Sequence, residues 1–376
     1  MTAAGSPRVS VVAALPPLVV GAAPANAVLV DALRAAGAVV DVVSWRRHYP
    51  ALLYRRGQSE DGRIPHGPAF LLDWHDPRTW RLALARIAAF GADAVVLPWL
   101  HPVLAPPYRF LLRRLPRRVS RVLVCHNVAP HERFPGARAL TSATLRHSDL
   151  VVTHAPHQRD ELRELGLAAT PVIEAFHPRF PAAPVDAREA AAERARLGKP
   201  GLLLLSFGAV RPYKGVDDAV EALAEVDPAV DAHLVVAGRF WGGTAEIEER
   251  VRRLRLERRV VLRDGYVAEA ELPRLFAAAD AVLLPYRSAT QSGVVQLAFA
   301  YGRPVIATRV GGIPAAVRDG VDGLLCPPGD PSALARTIES AARRLPELTA
   351  GVRPDAAEYS PRRYAQLLLQ GIAEAR

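Results

Sequence analysis

Two series of short apolar segments alternate with helical segments along this chain, and this alternation constrains the fold more than any other feature. The first series covers residues 9–174 and the second covers residues 202–326. Segments such as Leu202–Phe207 and Ala281–Leu284 are almost continuously apolar, which is typical of strands that are buried on both faces. Strands alternating with helices therefore predict an α/β fold with two parallel sheets, each covered by helices.

The length of 376 residues is sufficient for two domains of ordinary size. Residues 176–200, between the two series, are rich in proline at first and charged afterwards, so we interpret them as a linker with a short surface helix. The predicted domains are 1–180 and 181–358. Ser360 followed by Pro361 is typical of a helix start, so residues 359–376 are predicted to form a helix that packs back toward the first domain.

The net charge of +10 favours anionic partners, but the basic residues are spread along the chain. No arginine-rich block is interleaved with aromatic residues, so nucleic acid is not an expected partner. Residues 109–121 form the densest basic segment, with six arginines. Two interpretations stay open for this segment: a solvated helix and turn, or a patch that faces an anionic membrane or an anionic acceptor.

The sequence contains few signals that indicate a cellular compartment. No apolar run reaches the roughly 18–20 residues that a membrane span needs. Pro16 and Pro17 interrupt the first apolar stretch, which favours a buried strand and a loop over the alternative, a signal peptide. Cys125 and Cys326 are far apart in sequence, and we expect them to be buried free thiols in a reducing compartment.

The residues that follow the predicted strands carry the candidate chemistry, because ligands of parallel α/β domains bind beyond the carboxyl ends of the strands. Two such domains facing each other would form a central cleft. After Leu202–Phe207, Gly208 allows a tight exit, and Arg211 and Lys214 precede a helix start that attracts anions. Only two of the 48 basic residues are lysines. We therefore interpret Lys214 as a compact ammonium donor to phosphate, although its chance retention is the alternative.

Other loops of the second series add small and polar residues to the same predicted site. Gly238 ends a strand where a backbone can approach a ligand, and Tyr266 and Val267 precede a helix where backbone groups can meet a nucleobase. Residues 286–314 contain no acidic residue, and their helix start is predicted to hold a diphosphate. The candidate diphosphate-binding residues of this stretch are Thr290, Gln291, Ser292, Gly293 and Gln296.

In the first series, the string CHNVAPHERF follows a predicted strand and brings His126, Asn127 and His131 to its end. A lone histidine is more often structural than catalytic, but two histidines and an asparagine at one strand end favour a functional interpretation. Asn26 is the one other asparagine of the chain and follows the loop of Gly21. We expect the two asparagines, His131 and Gly21 to face the predicted cleft.

Motifs of several common enzyme classes are missing from the sequence. There is no Walker loop, no Gly-x-Gly-x-x-Gly after a strand, no zinc-ligand spacing and no Gly-x-Ser-x-Gly. No Asp-x-Asp follows a strand at the predicted cleft. NAD chemistry and serine hydrolysis are therefore poorly supported, and neither a metal nor a cofactor is expected.

Together these strings resemble the family-4 (group 1) retaining glycosyltransferases of the GT-B fold. GAVRPYKGVDDAVEAL, the segment from DGYVAEAEL to RVGGIP, and DGVDGLLCPPGD stand in the order and spacing of that family. SWRRHYPALLY, DPRTW and CHNVAPHERF resemble a bacterial branch of it. The resemblance implies two Rossmann-like doubly wound domains that face a central cleft. It also implies transfer of a hexose-type sugar from a nucleotide-sugar donor to a hydroxyl acceptor, with retention and without a metal.

The resemblance implies roles for individual residues. Arg211 and Lys214 would neutralise the donor diphosphate, and His126 matches the family histidine near the donor sugar. Gly21 would lie on the donor side, and Asn26, Asn127 and His131 would lie on the acceptor side. A phosphate oxygen of the leaving diphosphate would take the acceptor proton. The expected donor is UDP-, GDP- or dTDP-linked, and the expected acceptor is a glycan, a lipid-linked glycan or a small molecule. We expect a cytoplasmic enzyme of cell-surface polysaccharide biosynthesis. Peripheral contact with the inner face of the cell membrane is an alternative that the sequence leaves open.

One departure from the family concerns its Glu-x7-Glu pair. Aligned on the string YGRPV, these glutamates fall on Ala289 and Leu297, and aligned on Gly293 they fall on Thr290 and Ala298. Neither alignment supplies a carboxylate.

Two more family positions differ, because Ala315 stands for a glutamate after GGIP and Ala209 for an arginine in the lysine loop. Our interpretation is that Thr290, Gln291 and Gln296 replace the glutamates as neutral hydrogen-bond partners, since those glutamates bind hydroxyls and need not ionise. The first alternative is a catalytically silent GT-B module that binds a sugar nucleotide or glycan and scaffolds a partner. The second alternative, a sugar-nucleotide epimerase, would need carboxylates that this stretch does not contain.

Overall fold

The structure of this chain is a computed structural model that describes residues 6–50, 63–128, 135–197 and 201–375. It divides into two units, which we call the N-terminal unit (Met1–Pro178 with Ala357–Arg376) and the C-terminal unit (Arg179–Ala356). These limits lie two residues from the predicted boundaries at 180 and 358.

The N-terminal unit contains a parallel sheet of seven strands in the described residues, in the order β3-β2-β1-β4-β5-β6-β7. The strands are β1 Arg8–Val12, β2 Val39–Arg47, β3 Phe70–Asp73, β4 Ala94–Trp99, β5 Ser120–Cys125, β6 Leu150–Thr153 and β7 Val172–Glu174. The helices of its first segment are α1 Ala23–Ala35, α2 Pro77–Phe90, α3 Ala105–Arg114, α4 Ala137–Leu145 and α5 Pro156–Glu164. The sequence analysis did not predict β3 or α4.

The C-terminal unit contains a parallel sheet of six strands in its described part, in the order β10-β9-β8-β11-β12-β13. The strands are β8 Leu202–Phe207, β9 Ala232–Gly238, β10 Val260–Asp264, β11 Ala281–Leu284, β12 Val305–Thr308 and β13 Gly323–Cys326. The helices are α6 Ala187–Leu197, α7 Val216–Glu225, α8 Ala245–Arg253, α9 Leu272–Ala278, α10 Gly293–Ala300, α11 Ile313–Ala316, α12 Pro331–Arg343 and α13 Leu345–Gly351. The predicted class, α/β with two parallel sheets, is confirmed.

Both sheets are buried on both faces, which explains why their strands look continuously apolar. In β8, Leu202 and Leu204 belong to one hydrophobic cluster, while Leu203 and Leu205 belong to another. Successive side chains of a strand point to opposite faces of the sheet, so each cluster lies on one face beneath its helices.

The last helix, α14 (Pro361–Glu374), packs on α1 and belongs to the N-terminal unit. Its start is the predicted one, because Ser360 Oγ accepts a hydrogen bond from the backbone N–H of Arg363 at 3.2 Å. Tyr364, Leu368 and Ile372 are buried on one side of this helix. Residues four apart share one helix face, so a regular amphipathic stripe of α14 forms its buried side.

The predicted surface helix of the linker is α6, and it is more firmly bound than a solvated helix would be. It packs on α9 of the C-terminal unit. Arg194 forms an ion pair with Asp280 at 2.9 Å, and Glu193, only 6% exposed, pairs with Arg263 at 3.1 Å.

The apolar residues of the basic segment 109–121 are core residues rather than surface residues. Leu111, Leu112 and Leu115 are buried in the core beside α3, and Phe110 packs against the same cluster. Arg121 lies in β5. A membrane-facing role of this segment would therefore depend on its arginines and not on insertion of the leucines.

Cys125 and Cys326 are both buried free thiols, as predicted. No helix in the described residues combines the length and apolar character needed to cross a bilayer.

Candidate functional site

The strand order of the C-terminal unit brings two predicted loops together. β8 and β11 are neighbours at the point where the strand order reverses, and Leu204 pairs with Ala281. Gly208 directly follows β8, and the stretch that begins at Tyr286 follows β11. Parallel α/β domains bind ligands at such a switch point, beyond the carboxyl ends of the strands.

Lys214 lies at this edge of the sheet. It ends a short 3-10 turn, Pro212–Lys214, and its Nζ donates a hydrogen bond to the carbonyl oxygen of Phe207 at 3.4 Å. The Nζ also lies 5.0 Å from the ring centroid of Tyr286, a cation–π contact. No carboxylate in the described part of the chain forms an ion pair with Lys214. Its charge is thus available for an anionic ligand.

Arg211 is the second predicted cation and stacks on an aromatic ring. Its guanidinium lies 4.1 Å from the ring centroid of Trp241, which is 37% exposed. Arginine is well suited to this position because its planar group can stack and still direct N–H donors outward. The sequence analysis did not single out Trp241, although the string GRFWGG contains this tryptophan shortly after a strand.

The start of α7 is occupied by acidic residues of the chain itself. Asp217 and Asp218 lie in its first turn, and Arg287 contacts them at 2.7 and 2.9 Å. These ion pairs hold the stretch after β11 against α7. The anion attraction that the sequence predicts at this helix start is therefore offset by the two carboxylates.

The start of α10 is the segment for which the sequence predicts a diphosphate cradle, and we call it the α10 cradle. Ser292 is its N-cap and makes no capping hydrogen bond with its side chain, so the first N–H groups of the helix are not capped by Ser292. Thr290 and Ser292 are buried, and Gln291 and Gly293 are partly exposed. These N–H groups can bind an anion.

The GGIP loop packs tightly on this cradle. The N–H of Gly312 donates to the carbonyl oxygen of Thr290 at 2.9 Å. A Cβ at Gly311 would overlap the carbonyl oxygen of Ala289, and one at Gly312 would lie 2.6 Å from Cδ of Gln291. Two glycines are thus needed because the loops approach closer than a side chain allows.

Gln296 and Tyr286 are buried polar residues near this cradle. They are 2% and 3% exposed, and Gln296 Oε1 and Tyr286 Oη have no hydrogen-bond partner in the described residues. Unsatisfied buried polar atoms are uncommon and often indicate a functional site. The hypothesis that Gln296 replaces a glutamate as a neutral partner stays a prediction, and its Oε1 accepts no hydrogen bond from the described residues.

The other donor-binding candidates of the C-terminal unit lie at the ends of β9 and β10. Gly238 is the last residue of β9, and a Cβ on it would overlap the carbonyl oxygen of Gly208. Tyr266 is 44% exposed after β10, and Val267 packs partly on the core. The side chain of Tyr266 is thus accessible to a ligand, as the predicted contact with a nucleobase requires.

In the N-terminal unit, three histidines follow three neighbouring strands. His126 follows β5, His154 follows β6 and His177 lies shortly after β7. Their ring centroids are 5.4 Å apart for His126 and His154, and 6.2 Å apart for His126 and His177. The sequence analysis identified only His126, although all three follow predicted strands.

Gln158 links the strand ends that carry these rings, and it is fully buried. Its Oε1 accepts from the N–H of His154 at 2.6 Å, and its Nε2 donates to the carbonyl oxygens of Cys125 and His126 at 3.2 and 3.3 Å. His154 Nε2 lies 3.0 Å from the hydroxyl of Tyr364 on α14. The position of His126 is therefore set by its neighbours in the sheet and by α5.

Burial keeps these three imidazoles neutral. Although part of His126 reaches solvent, burial and then His177 lower its pKa from 6.5 to about 3. Burial also lowers the pKa of His154 and His177. A neutral His126 can donate and accept one hydrogen bond each, which suits a ring that contacts a hydroxyl.

Acid should destabilise this unit. His48 is fully buried and its pKa is lowered to about 3, by burial first and then by His101. The unfolded chain takes up protons below about pH 6.5, so stability is present above that pH and is lost as pH falls toward 3. By pH 5, His48 alone is expected to cost about 2 kcal/mol. Urea unfolding at pH 7 and pH 5 tests this. Between pH 7 and pH 5, the variant His48→Phe should lose less stability than the wild type. Equal losses in the two proteins would contradict the prediction.

The remaining predicted residues of the N-terminal unit have different surroundings. Asn26 is 1% exposed, and its Nδ2 donates to the carbonyl oxygen of Ala14 at 2.9 Å, so its observed contact is structural. Asn127 is partly exposed and donates to Leu100 at 3.4 Å. Gly21 is exposed in the turn before α1. His131 lies outside the described residues.

No group of three or more His, Cys, Asp or Glu side chains is placed to hold a metal ion within the described ranges. 

Comparison with known proteins gives a family match for most of the C-terminal unit. Residues 201–344 match the family described as "Glycosyl transferases group 1". These residues are a group 1 glycosyltransferase domain. This domain includes both switch-point loops, the cradle and the GGIP loop, and the predicted family resemblance is confirmed.

Similar proteins extend the comparison to more of the chain. The D-inositol 3-phosphate glycosyltransferase of Mycolicibacterium gilvum is 32% identical over 196 residues, which are 51% of this chain and 44% of that protein. The enzyme of the same name from Saccharomonospora viridis is 32% identical over 242 residues, which are 61% of this chain and 56% of that protein. The chain thus matches about half the length of these relatives.

Solved structures show that the fold is shared over nearly the whole chain. Sucrose-phosphate synthase from Thermosynechococcus elongatus has a TM-score of 0.77 at 20% identity, covering 98% of both chains. Anabaena HepE in complex with UDP-glucose has a TM-score of 0.74 at 18% identity, covering 98% of this chain and 99% of that one. The predicted GT-B fold, with two Rossmann-like units, is confirmed.

Proposed function

We propose that this protein transfers a hexose-type sugar from a nucleotide-sugar donor to a hydroxyl acceptor, with retention and without a metal. The observation that carries the proposal is the ammonium of Lys214 beside the α10 cradle, which no carboxylate of the described residues pairs with, within a group 1 glycosyltransferase domain. Arg211 adds a second cation at the same loop. Together they can balance the charge of a diphosphate.

The donor we propose is linked to UDP. HepE, which shares the fold, has been solved with UDP and with UDP-glucose. Tyr266 and Val267 are the proposed contacts of the base, and the α10 cradle is the proposed site of the diphosphate. GDP- and dTDP-linked donors use the same diphosphate chemistry and belong in the same assay.

The proposed reaction breaks the bond between the sugar C1 and the diphosphate oxygen and forms a bond between C1 and the acceptor oxygen. Negative charge develops on the leaving diphosphate, where Lys214, Arg211 and the N–H groups of α10 stabilise it. A diphosphate oxygen takes the acceptor proton. Neutral His126 is proposed to contact a hydroxyl of the donor sugar, and Asn127 and His131 to face the acceptor.

A panel of nucleotide sugars tests the proposal. The pure protein is incubated with UDP-, GDP- and dTDP-hexoses, with and without hydroxyl acceptors that include D-inositol 3-phosphate, the acceptor named for the relatives. Release of the nucleoside diphosphate with one donor, and an unchanged anomeric configuration in the product, are the expected results. Activity that a chelator abolishes and magnesium or manganese restores would contradict metal independence.

The silent-module alternative predicts a different outcome of the same panel. Such a protein would bind a nucleotide sugar in calorimetry but would release no nucleoside diphosphate with any acceptor. Binding without turnover for the whole panel would thus favour scaffolding over catalysis.

For the cellular location, we propose a cytoplasmic enzyme of cell-surface polysaccharide biosynthesis with peripheral contact to an anionic membrane. The support for contact is the charge of the segment 109–121. Fractionation of cells into cytosol and membrane at low and high salt tests this location.

A further inference from the structure

Four arginines from three elements of the N-terminal unit lie near one histidine, His147. Arg109 and Arg113 lie on α3, Arg121 near the start of β5, and Arg146 directly after α4. α3 and α4 pack against each other, and Arg109 and Arg113, four residues apart, lie on one face of α3. All four guanidinium groups are close enough to His147 to lower its pKa, after the larger effect of burial.

Carboxylates neutralise little of this charge. Arg121 contacts Asp149 at 3.1 Å and also reaches the carbonyl oxygen of Leu112 at 3.5 Å. Arg109, Arg113 and Arg146 have no ion pair with a carboxylate in the described residues. Four positive charges therefore face one negative charge.

Two details indicate that the cluster is more than a solvated surface. The Nε of Arg109 is buried without a hydrogen-bond partner in the described part of the chain. The guanidinium of Arg146 is held over α4 by Ser142, whose backbone oxygen and Oγ each accept at 3.3 Å. Basic residues in the last turn of a helix are common because they balance the helix dipole. This effect explains the positions of Arg113 and Arg146 individually. It does not account for Arg109, which lies more than a turn before the end of α3.

The cluster is remote from the candidate site of the same unit. Arg121 lies near the amino end of β5, and His147 and Asp149 precede β6. His126 follows the carboxyl end of β5. Since a strand rises about 3.3 Å per residue, the body of the sheet separates the two places.

We propose that Arg109, Arg113, Arg146 and His147 form a binding site for a phosphate group, distinct from the nucleotide-sugar site. A phosphate dianion fits because its oxygens can accept from several guanidinium forks at once, while Arg121 is largely engaged by Asp149. The phosphate can come from a phosphomonoester lipid headgroup or from a soluble phosphate compound. This proposal deepens the proposed membrane contact of the segment 109–121 and does not depend on the proposed transfer of a sugar.

The test uses the full chain at constant ionic strength, with inorganic phosphate as the first probe. Phosphate binding by calorimetry is expected to weaken at least tenfold in the double variant Arg113→Gln/Arg146→Gln, whose side chains are exposed and need not affect folding. Arg336→Gln, which removes one positive charge from an exposed position of α12, is the control and should leave binding unchanged. Lys214→Ala should also leave this binding intact.

Vesicles identify the source of the phosphate. Phosphatidylcholine vesicles with and without phosphatidic acid are sedimented with wild type and with the double variant. Retention on phosphatidic acid vesicles that the double variant loses indicates a lipid headgroup, and phosphate binding without retention indicates a soluble compound. The proposal is overturned if wild type binds neither probe, if the double variant binds both as wild type does, or if binding depends on Lys214 alone.

Discussion

Replacing Lys214 by alanine is expected to lower kcat/KM for the nucleotide sugar by roughly tenfold to a hundredfold. The physical reason is the loss of a charge-assisted contact to the diphosphate, which is worth about 1.5–3 kcal/mol. The ammonium contacts only the Phe207 carbonyl and the Tyr286 ring within the described residues, so its removal leaves no carboxylate unpaired. The fold should therefore remain intact.

Steady-state kinetics with the identified donor measures this effect, with thermal unfolding as a check on the fold. Arg211→Ala should show a loss of similar size, while Arg336→Ala removes an exposed positive charge from α12 and should have no effect. Lys214→Arg should restore only part of the activity, because its larger planar group does not match a compact ammonium. Normal kinetics in both Lys214→Ala and Arg211→Ala would exclude these residues from the site.

Gly238→Ala is expected to lower the free energy of unfolding of the C-terminal unit by about 3 kcal/mol or more. Gly238 has a φ of 147°, and a Cβ would overlap the carbonyl oxygen of Gly208 and lie 2.6 Å from its carbonyl carbon. Overpacking costs about 1–3 kcal/mol, and a backbone conformation unfavourable for alanine adds about 1–2 kcal/mol. The two strand ends β8 and β9 would have to separate at the predicted donor site.

Differential scanning calorimetry measures this change as a fall of roughly 6–12 °C in Tm. Gly242→Ala is the matched control, because it lies four residues later and a Cβ there has no heavy atom within 4 Å. Equal melting of Gly238→Ala and Gly242→Ala would show that the β8 and β9 ends can separate without cost. Such a result would remove the close approach as the reason for a glycine at this position.

Many elements of this fold could be predicted because burial shows in local patterns. The string LLLLSF at β8 and the string AVLL at β11 are apolar on both faces, and only a sheet covered by helices satisfies such strands. The edge strand β3, FLLD, was not predicted, although other strands of four residues were; it pairs with β2 through an irregular register, which no local pattern shows. The leucines of α3 were open to two interpretations, since a stripe of leucines on a basic helix fits a protein core or a membrane surface equally well.

The sequence by itself determined the two parallel sheets and the loops that follow β8 and β11, because strand periodicity and turn residues are local properties. Only the tertiary structure decided which residues meet. It placed His154 and His177 beside His126, brought Gly238 against Gly208, and gathered four arginines around His147. These contacts depend on strand order and helix packing, which join residues far apart in the chain, and no local pattern of side chains encodes such neighbours.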